Sequence, residues 1–386
     1  MDNDKHALPA DVRFYEDIFA NGTRAGMKMF EQDFMCSINT ATNLTRSDIY
    51  TGVKWFAAMD GAARGANSTG YGGKGISLQF CMMNPAHVLA SSLVYAATNG
   101  RATRDNHPGK SRVSPGDGKI LGISSLLHYA LGIWPSRDNV WTNASVASHG
   151  GPEPMVKTQS LMAVLSGGPY GPSDGARSGN KSLLMRSCRD DGLLLRADKP
   201  ITILDAALLA LPFGKDVTPT KATGYDPIHV WSTFSRIPSH SEPSSSLRYY
   251  YILGLDLARP FSVHTTDLDS DLVSIEEKSP GKYVAWEYWT GVDPHNNNTV
   301  VVDNAHPFPI PAPPLSNNSA VITSSYHVLS PSLTNGWTYL GEPGKFIAAS
   351  RRRVAFIDAL KNGIQVRFRV VVVLSIILSM IMMESK

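Results

Sequence analysis

Apolar positions in the first two hundred residues alternate between short continuous runs and stretches of helical period. Residues 26–30 (GMKMF), 76–82 (ISLQFCM) and 161–165 (LMAVL) are runs of strand length. Between them, Phe14, Tyr15, Ile18 and Phe19 recur at three- and four-residue intervals, as do Val53, Phe56 and Met59, and then Val88, Leu89, Ser92 and Leu93. Asp11 is placed to cap the first predicted helix and Asn21-Gly22 to close it. Residues 45–48 start the second, and Pro85 stands in the first turn of the third. Residues 99–103 read as a strand tip and 120–131 as a helix. Strands apolar on both faces, alternating with helices, predict a parallel sheet of β/α units.

From about residue 213 the pattern changes. Residues 247–257, 282–289, 299–303, 326–329 and 337–340 read as strands, with loops between them rich in Pro, Ser and Asn. Regular short segments of this kind predict an antiparallel β-sandwich. The stretches 237–246 and 306–315 (HPFPIPAPPL) are too rich in serine or proline for strands. The expected division is 1–212, 213–369 and a hydrophobic tail, 370–386. Val370 to Met383 is fourteen residues of apolar sequence, short of the ~20 that a membrane helix needs. A terminal strand and a short membrane anchor both fit it.

Composition narrows the function classes. Hydrophobic content of 42% with 18% charged residues describes a folded chain. The 36 basic and 33 acidic residues leave a net charge of +3 with no basic stripe, so no nucleic-acid partner is expected. Cys36, Cys81 and Cys188 lie far apart, which excludes a zinc knuckle and a disulfide framework. Seven sequons, at Asn21, Asn43, Asn67, Asn143, Asn180, Asn297 and Asn317, point to an extracellular or secretory location, although residues 1–14 carry no apolar leader.

Three stretches carry candidate chemistry. Asp174 follows residues 161–165, read as a strand that Ser166-Gly167-Gly168-Pro169 stops, and Asn180 then offers a cap to a helix bearing Leu183 and Leu184. The same glycines and aspartate would also serve a plain tight turn. Glu31, Gln32 and Asp33 end the GMKMF run, and Arg101 to Pro108 (RATRDNHP) forms the third group. Carboxylates at strand tips suit glycosidic chemistry, which needs two of them across the scissile bond. Each group also has a plain structural reading, as a solvated loop or a salt-bridged turn.

Residues 166–196 (SGGP, then SD, LL and DGLLLR) resemble the last barrel strand and helix of the raffinose synthase and α-galactosidase group of glycoside hydrolases. The resemblance covers roughly residues 11–260. It implies a partial (β/α)8 TIM-type barrel followed by an all-β antiparallel sandwich, with the chain entering mid-barrel. It implies Asp33 as nucleophile, on the family's K-x-D pattern, and Asp105 as acid/base, on R-A-S-D-D-F-x-P. Glu31, Gln79, Arg101, Asp138 and Asp174 are then expected to line the sugar site, with Cys81 beside them and Trp141 as a stacking surface. Two positions depart from the pattern. Glu31 replaces the lysine, which removes a cation beside the nucleophile and adds a like charge. Arg104 replaces the first aspartate, and an arginine adjoining Asp105 favours the ionised form, the wrong state for a general acid.

Other chemistries fit less well. Gly70 to Gly75 lacks the Ser/Thr that a phosphate loop places after its lysine, and the eleven histidines show no HExxH spacing. No cofactor and no metal are expected. The expected partner is a carbohydrate, with membrane contact only through Val370–Met383. The alternative to an active glycosidase is a carbohydrate-binding or surface protein that retains the fold without catalysis.

Overall fold

The computed structural model describes residues 8–9, 11–36, 48–65, 75–83, 85–103, 125–145, 152–207, 229–255, 257, 260–268, 281–291, 298–312 and 323–369. The chain divides into two compact units, residues 1–104 with 124–138, and residues 105–123 with 139–386.

In the first unit, helix α1 (Arg13–Arg24), strand β1 (Met29–Gln32), helix α2 (Ile49–Gly65), β2 (Ser77–Phe80), helix α3 (Pro85–Ser91), β3 (Ala97–Arg101) and β4 (Trp134–Ser136) follow in order. Residues 125–130 are helical as well. The strands form one parallel sheet in the order β1-β2-β3-β4, each beside its predecessor. This is the arrangement expected of consecutive β/α units. Asp11 accepts from Arg13 N (2.9 Å), and α1 buries Tyr15 and Phe19 against Trp55, Phe56 and Met59 of α2 and Leu78 and Phe80 of β2. The Trp55 indole donates to the Tyr15 hydroxyl (2.6 Å), which satisfies two polar groups inside that core.

Two boundaries move from expectation. The helix runs through Asn21-Gly22 to Arg24, and Gly26 (φ 92) makes the turn, so β1 begins at Met29 rather than at 26. In α3 the buried face is His87, Val88 and Ser91, while Leu89 and Leu93 are exposed.

The second unit holds helix α4 (Val156–Ser166), helix α5 (Lys181–Leu184), β5 (Thr202–Ile203), β6 (Val230–Pro238), β7 (Ser246–Leu255), β8 (Phe261–Val263), helix α6 (Thr265–Leu268), β9 (Lys282–Glu287), β10 (Thr299–Asp303), β11 (Phe308–Ile310), β12 (Ser324–Pro331), β13 (Val354–Leu360) and β14 (Gly363–Phe368). Six of these strands form an antiparallel sheet in the order β10-β9-β12-β7-β6-β5. Strands β8 and β11 pair with each other, as do β13 and β14. Nearly every residue of β7 and β12 is buried, so both faces of the central sheet are covered. Three tyrosines reach out of it to the segment 339–349. Tyr249 donates to Tyr339 O (2.8 Å) and Tyr326 to Phe346 O (2.6 Å), while the Tyr251 hydroxyl accepts from Ala349 N (3.0 Å).

Residues 161–165 are not a strand. They belong to α4, whose positions from Thr158 to Ser166 are all buried. A fully buried helix whose last turns are the continuous apolar run 161–165 has no period there to distinguish it from a buried strand. Gly167 (φ 77) is its left-handed C-cap, as glycine after a last helical residue should be. The proline-rich stretch also departs from expectation, because Phe308–Ile310 is a strand. Its partner β8 is three residues long, and Pro309 sits opposite Ser262 in a two-stranded sheet, where a missing N–H is tolerated. Residues 337–340 contribute only a bridge, Thr338 to Ser332. No helix of the described residues is long and apolar enough to cross a membrane, and Val370–Met383 lies outside the described residues.

Candidate active site

The ends of β1 and β2 are built alike. Asp33 follows β1, and its Oδ1 accepts from Phe34 N (2.7 Å). Phe34 is left-handed (φ 56), and so is Met82 just beyond β2 (φ 52). Each costs on the order of 1–2 kcal/mol for a residue with a Cβ. Main-chain bonds lace the two turns together, Cys81 N to Gln32 O (2.9 Å) and Cys36 N to Met82 O (2.9 Å). The strain at both turns is thereby held by neighbouring backbone.

The parallel register sets Glu31 beside Gln79, and the Gln79 amide donates to Glu31 Oε1 (3.0 Å). Glu31 is exposed and Asp33 half-buried. Cys81 is buried, and Asp33, Arg101 and Glu31 all lie within electrostatic reach of its thiol. Burial first, then a hydrogen bond to Asp33, pushes the Cys81 thiol well up from its ordinary value. A protonated, buried thiol is a poor nucleophile. Iodoacetamide at pH 8 should therefore modify the partly exposed Cys36 and Cys188 and spare Cys81 in the native protein, with all three labelled after unfolding, as peptide mass spectrometry would read.

Arg101 ends β3 and pairs with Asp138 beyond β4 (Nη1 to Oδ1, 3.4 Å), both side chains largely buried. Asp138 N donates to Thr103 Oγ1 (3.1 Å), and Ala102 N to Ser136 O (2.8 Å), so the two loops leave the sheet together. Glu31, Asp33, Gln79, Arg101 and Asp138 thus gather at the carboxyl ends of four neighbouring strands. Asp105 and Arg104 lie outside the described residues.

Asp174 belongs to the second unit. A parallel bridge joins Val140 to Pro172, and the aspartate follows it. Its carboxylate accepts from Thr142 N (3.0 and 3.1 Å), Thr142 Oγ1 (2.6 Å) and Asn143 N (3.0 Å), and Thr142 Oγ1 accepts in turn from Asn180 N (2.8 Å). Asn180 caps α5 as expected, accepting from Leu183 N (3.2 Å). Thr142 and Asn143 escaped sequence reasoning because they stand more than thirty residues from their partner and carry no local signal. Asp174→Ala should lower stability by about 2 kcal/mol in urea unfolding, since three donors lose a charged acceptor. Lost sugar affinity at unchanged stability would instead make Asp174 a ligand contact. Trp141 is buried, so its ring is a packing surface rather than an open stacking platform.

Among the described residues no cluster of His, Cys, Asp and Glu could hold a metal ion. No protein-family model matches the sequence, and no curated protein matches it. Among solved structures, a GH27 β-L-arabinopyranosidase from Geobacillus stearothermophilus, in complex with arabinose, matches with a TM-score of 0.51 at 14% identity. The likeness is one of fold. It covers 83% of this chain and 62% of the arabinopyranosidase. The four-stranded parallel sheet and the antiparallel sheets therefore make a GH27-like fold.

Proposed function

We propose that this GH27-like chain is a glycoside hydrolase acting on α-linked sugars of galactoside type through two carboxylates. The observation that carries the reading is the gathering of Glu31, Asp33, Gln79, Arg101 and Asp138 at the carboxyl end of the parallel sheet. Carboxyl ends of parallel strands are where this architecture performs chemistry. The sugar of the matching enzyme fits the same class, because a β-L-arabinopyranosyl ring has the configuration of an α-D-galactopyranosyl ring without its hydroxymethyl group.

In this reading Asp33 attacks the anomeric carbon as the bond to the leaving oxygen breaks, and Asp105 gives that oxygen its proton. Water, deprotonated by Asp105, then displaces Asp33 and releases the sugar with retained configuration. Phe34 N holds one oxygen of Asp33, so the other is aimed by the same geometry. Glu31 and Gln79 contact ring hydroxyls on one side, and the Arg101–Asp138 pair on the other.

A second reading, carbohydrate binding without turnover, is favoured by one feature. Glu31 stands beside Asp33 where the resembling family carries lysine, and a second carboxylate disfavours the ionised form that a nucleophilic Asp33 needs. Hydrolysis of aryl α-galactosides and aryl β-L-arabinopyranosides, with product anomers followed by NMR, tests both. Release of the retained anomer supports the enzyme. Saturable binding of galactose or arabinose with no release above buffer supports the second reading, and neither binding nor release rejects both.

A further inference from the structure

We propose that the site at the β1–β4 ends selects its sugar by charge, with Glu31 as the determinant: ammonium-bearing and neutral glycosides enter, carboxylated or phosphorylated ones do not. The inference rests on the carbohydrate reading above and adds the substrate class. Among the described residues, three carboxylates (Glu31, Asp33 and Asp138) and two guanidiniums (Arg101 and Arg137) stand at these strand ends, a formal excess of one negative charge. Arg101 is paired with Asp138, which leaves the excess on the β1 side. Glu31 and Asp33 are two residues apart along an extended segment, so both project to the same face, roughly 7 Å apart. Gln79 fixes the direction of the Glu31 carboxylate through Oε1, while the side chain stays open to solvent.

A fixed carboxylate discriminates in both directions. An incoming anion meets two like charges, one exposed and one half-buried, and such a juxtaposition is itself a rejecting element. An ammonium group donates charge-assisted hydrogen bonds to the same oxygens. A neutral hydroxyl donates an ordinary bond and lies between these cases.

The test titrates galactose, galactosamine and galacturonic acid into the full-length protein by NMR at low ionic strength and again at 0.5 M salt. Galactosamine should bind about fivefold tighter than galactose and galacturonate at least about fivefold weaker, with both gaps shrinking in salt. Glu31→Gln should narrow the series, and Glu31→Lys should reverse galactosamine and galacturonate. Because Glu31 is exposed, these variants are expected to melt as the parent does. Galacturonate binding as tightly as galactose, or an unchanged order in Glu31→Lys, overturns the inference and leaves the carbohydrate reading standing. Failure of all three sugars to bind overturns that reading and the inference with it.

Discussion

Asp33→Asn should lower hydrolysis of an aryl α-galactoside, the activity proposed above, by at least about a thousandfold, with KM little changed. The substitution replaces one carboxylate oxygen by an amide nitrogen of similar size and removes the electron pair that would attack C1. The fold survives, because the amide introduced by Asp33→Asn would still offer an oxygen to Phe34 N, the bond that shapes this turn. The loss therefore falls on kcat. Two further readouts separate lost chemistry from lost structure, the melting temperature and the Kd for galactose, and both should stay close to those of the parent. Equal rates for parent and variant would remove Asp33 from catalysis. They would also leave the second reading, sugar binding without turnover, as the better account of the strand-tip cluster.

Acidification from pH 6.5 to pH 4 should cost the second unit about 3 kcal/mol of stability through a single histidine. His327 lies within β12, opposite Ile252 of β7 and Glu287 of β9, with its ring 4.8 Å from that of Phe308. Neither ring nitrogen has a hydrogen-bond partner among the described residues, and the Glu287 carboxylate accepts from Thr290 N (2.6 Å). Burial lowers the His327 pKa from 6.5 to about 4. Between those values the unfolded chain binds a proton that the folded one refuses, so stability rises with pH across the window. It is fully present above pH 6.5 and lost as pH falls toward 4. His327→Leu should flatten the slope measured by urea unfolding at stepped pH. His87, whose pKa burial also lowers, adds a slope of the same sign in the first unit. An unchanged slope in the His327 variant would assign the acid loss elsewhere.

Legibility from sequence followed the range of the interaction that decides each element. The helices at 13–24 and 49–65 and the strand at 77–80 show in periodicity, because a half-buried helix and a buried strand leave different spacings. The strand Thr299–Asp303 was legible to the residue, bounded by Asn-rich and His-Pro segments. The helix Val156–Ser166 was not, since full burial erases the stripe that marks a helix. Strand Val230–Pro238 escaped notice because its Ser and Thr positions are buried by β7 rather than by apolar content of their own.

The sequence by itself determined that this chain alternates strands and helices before it turns to antiparallel strands. It also placed an acidic residue just past the first strand, because local period and turn chemistry suffice for both. Tertiary structure alone decided which polar side chains meet. Glu31 reaches Gln79 across 48 positions, and Arg101 reaches Asp138 across 37. Asp174 meets Thr142 and Asn143 across 32 and 31 positions. Hydrogen bonds and ion pairs act over a few ångströms, and only the register of the folded sheet brings such distant positions within that reach.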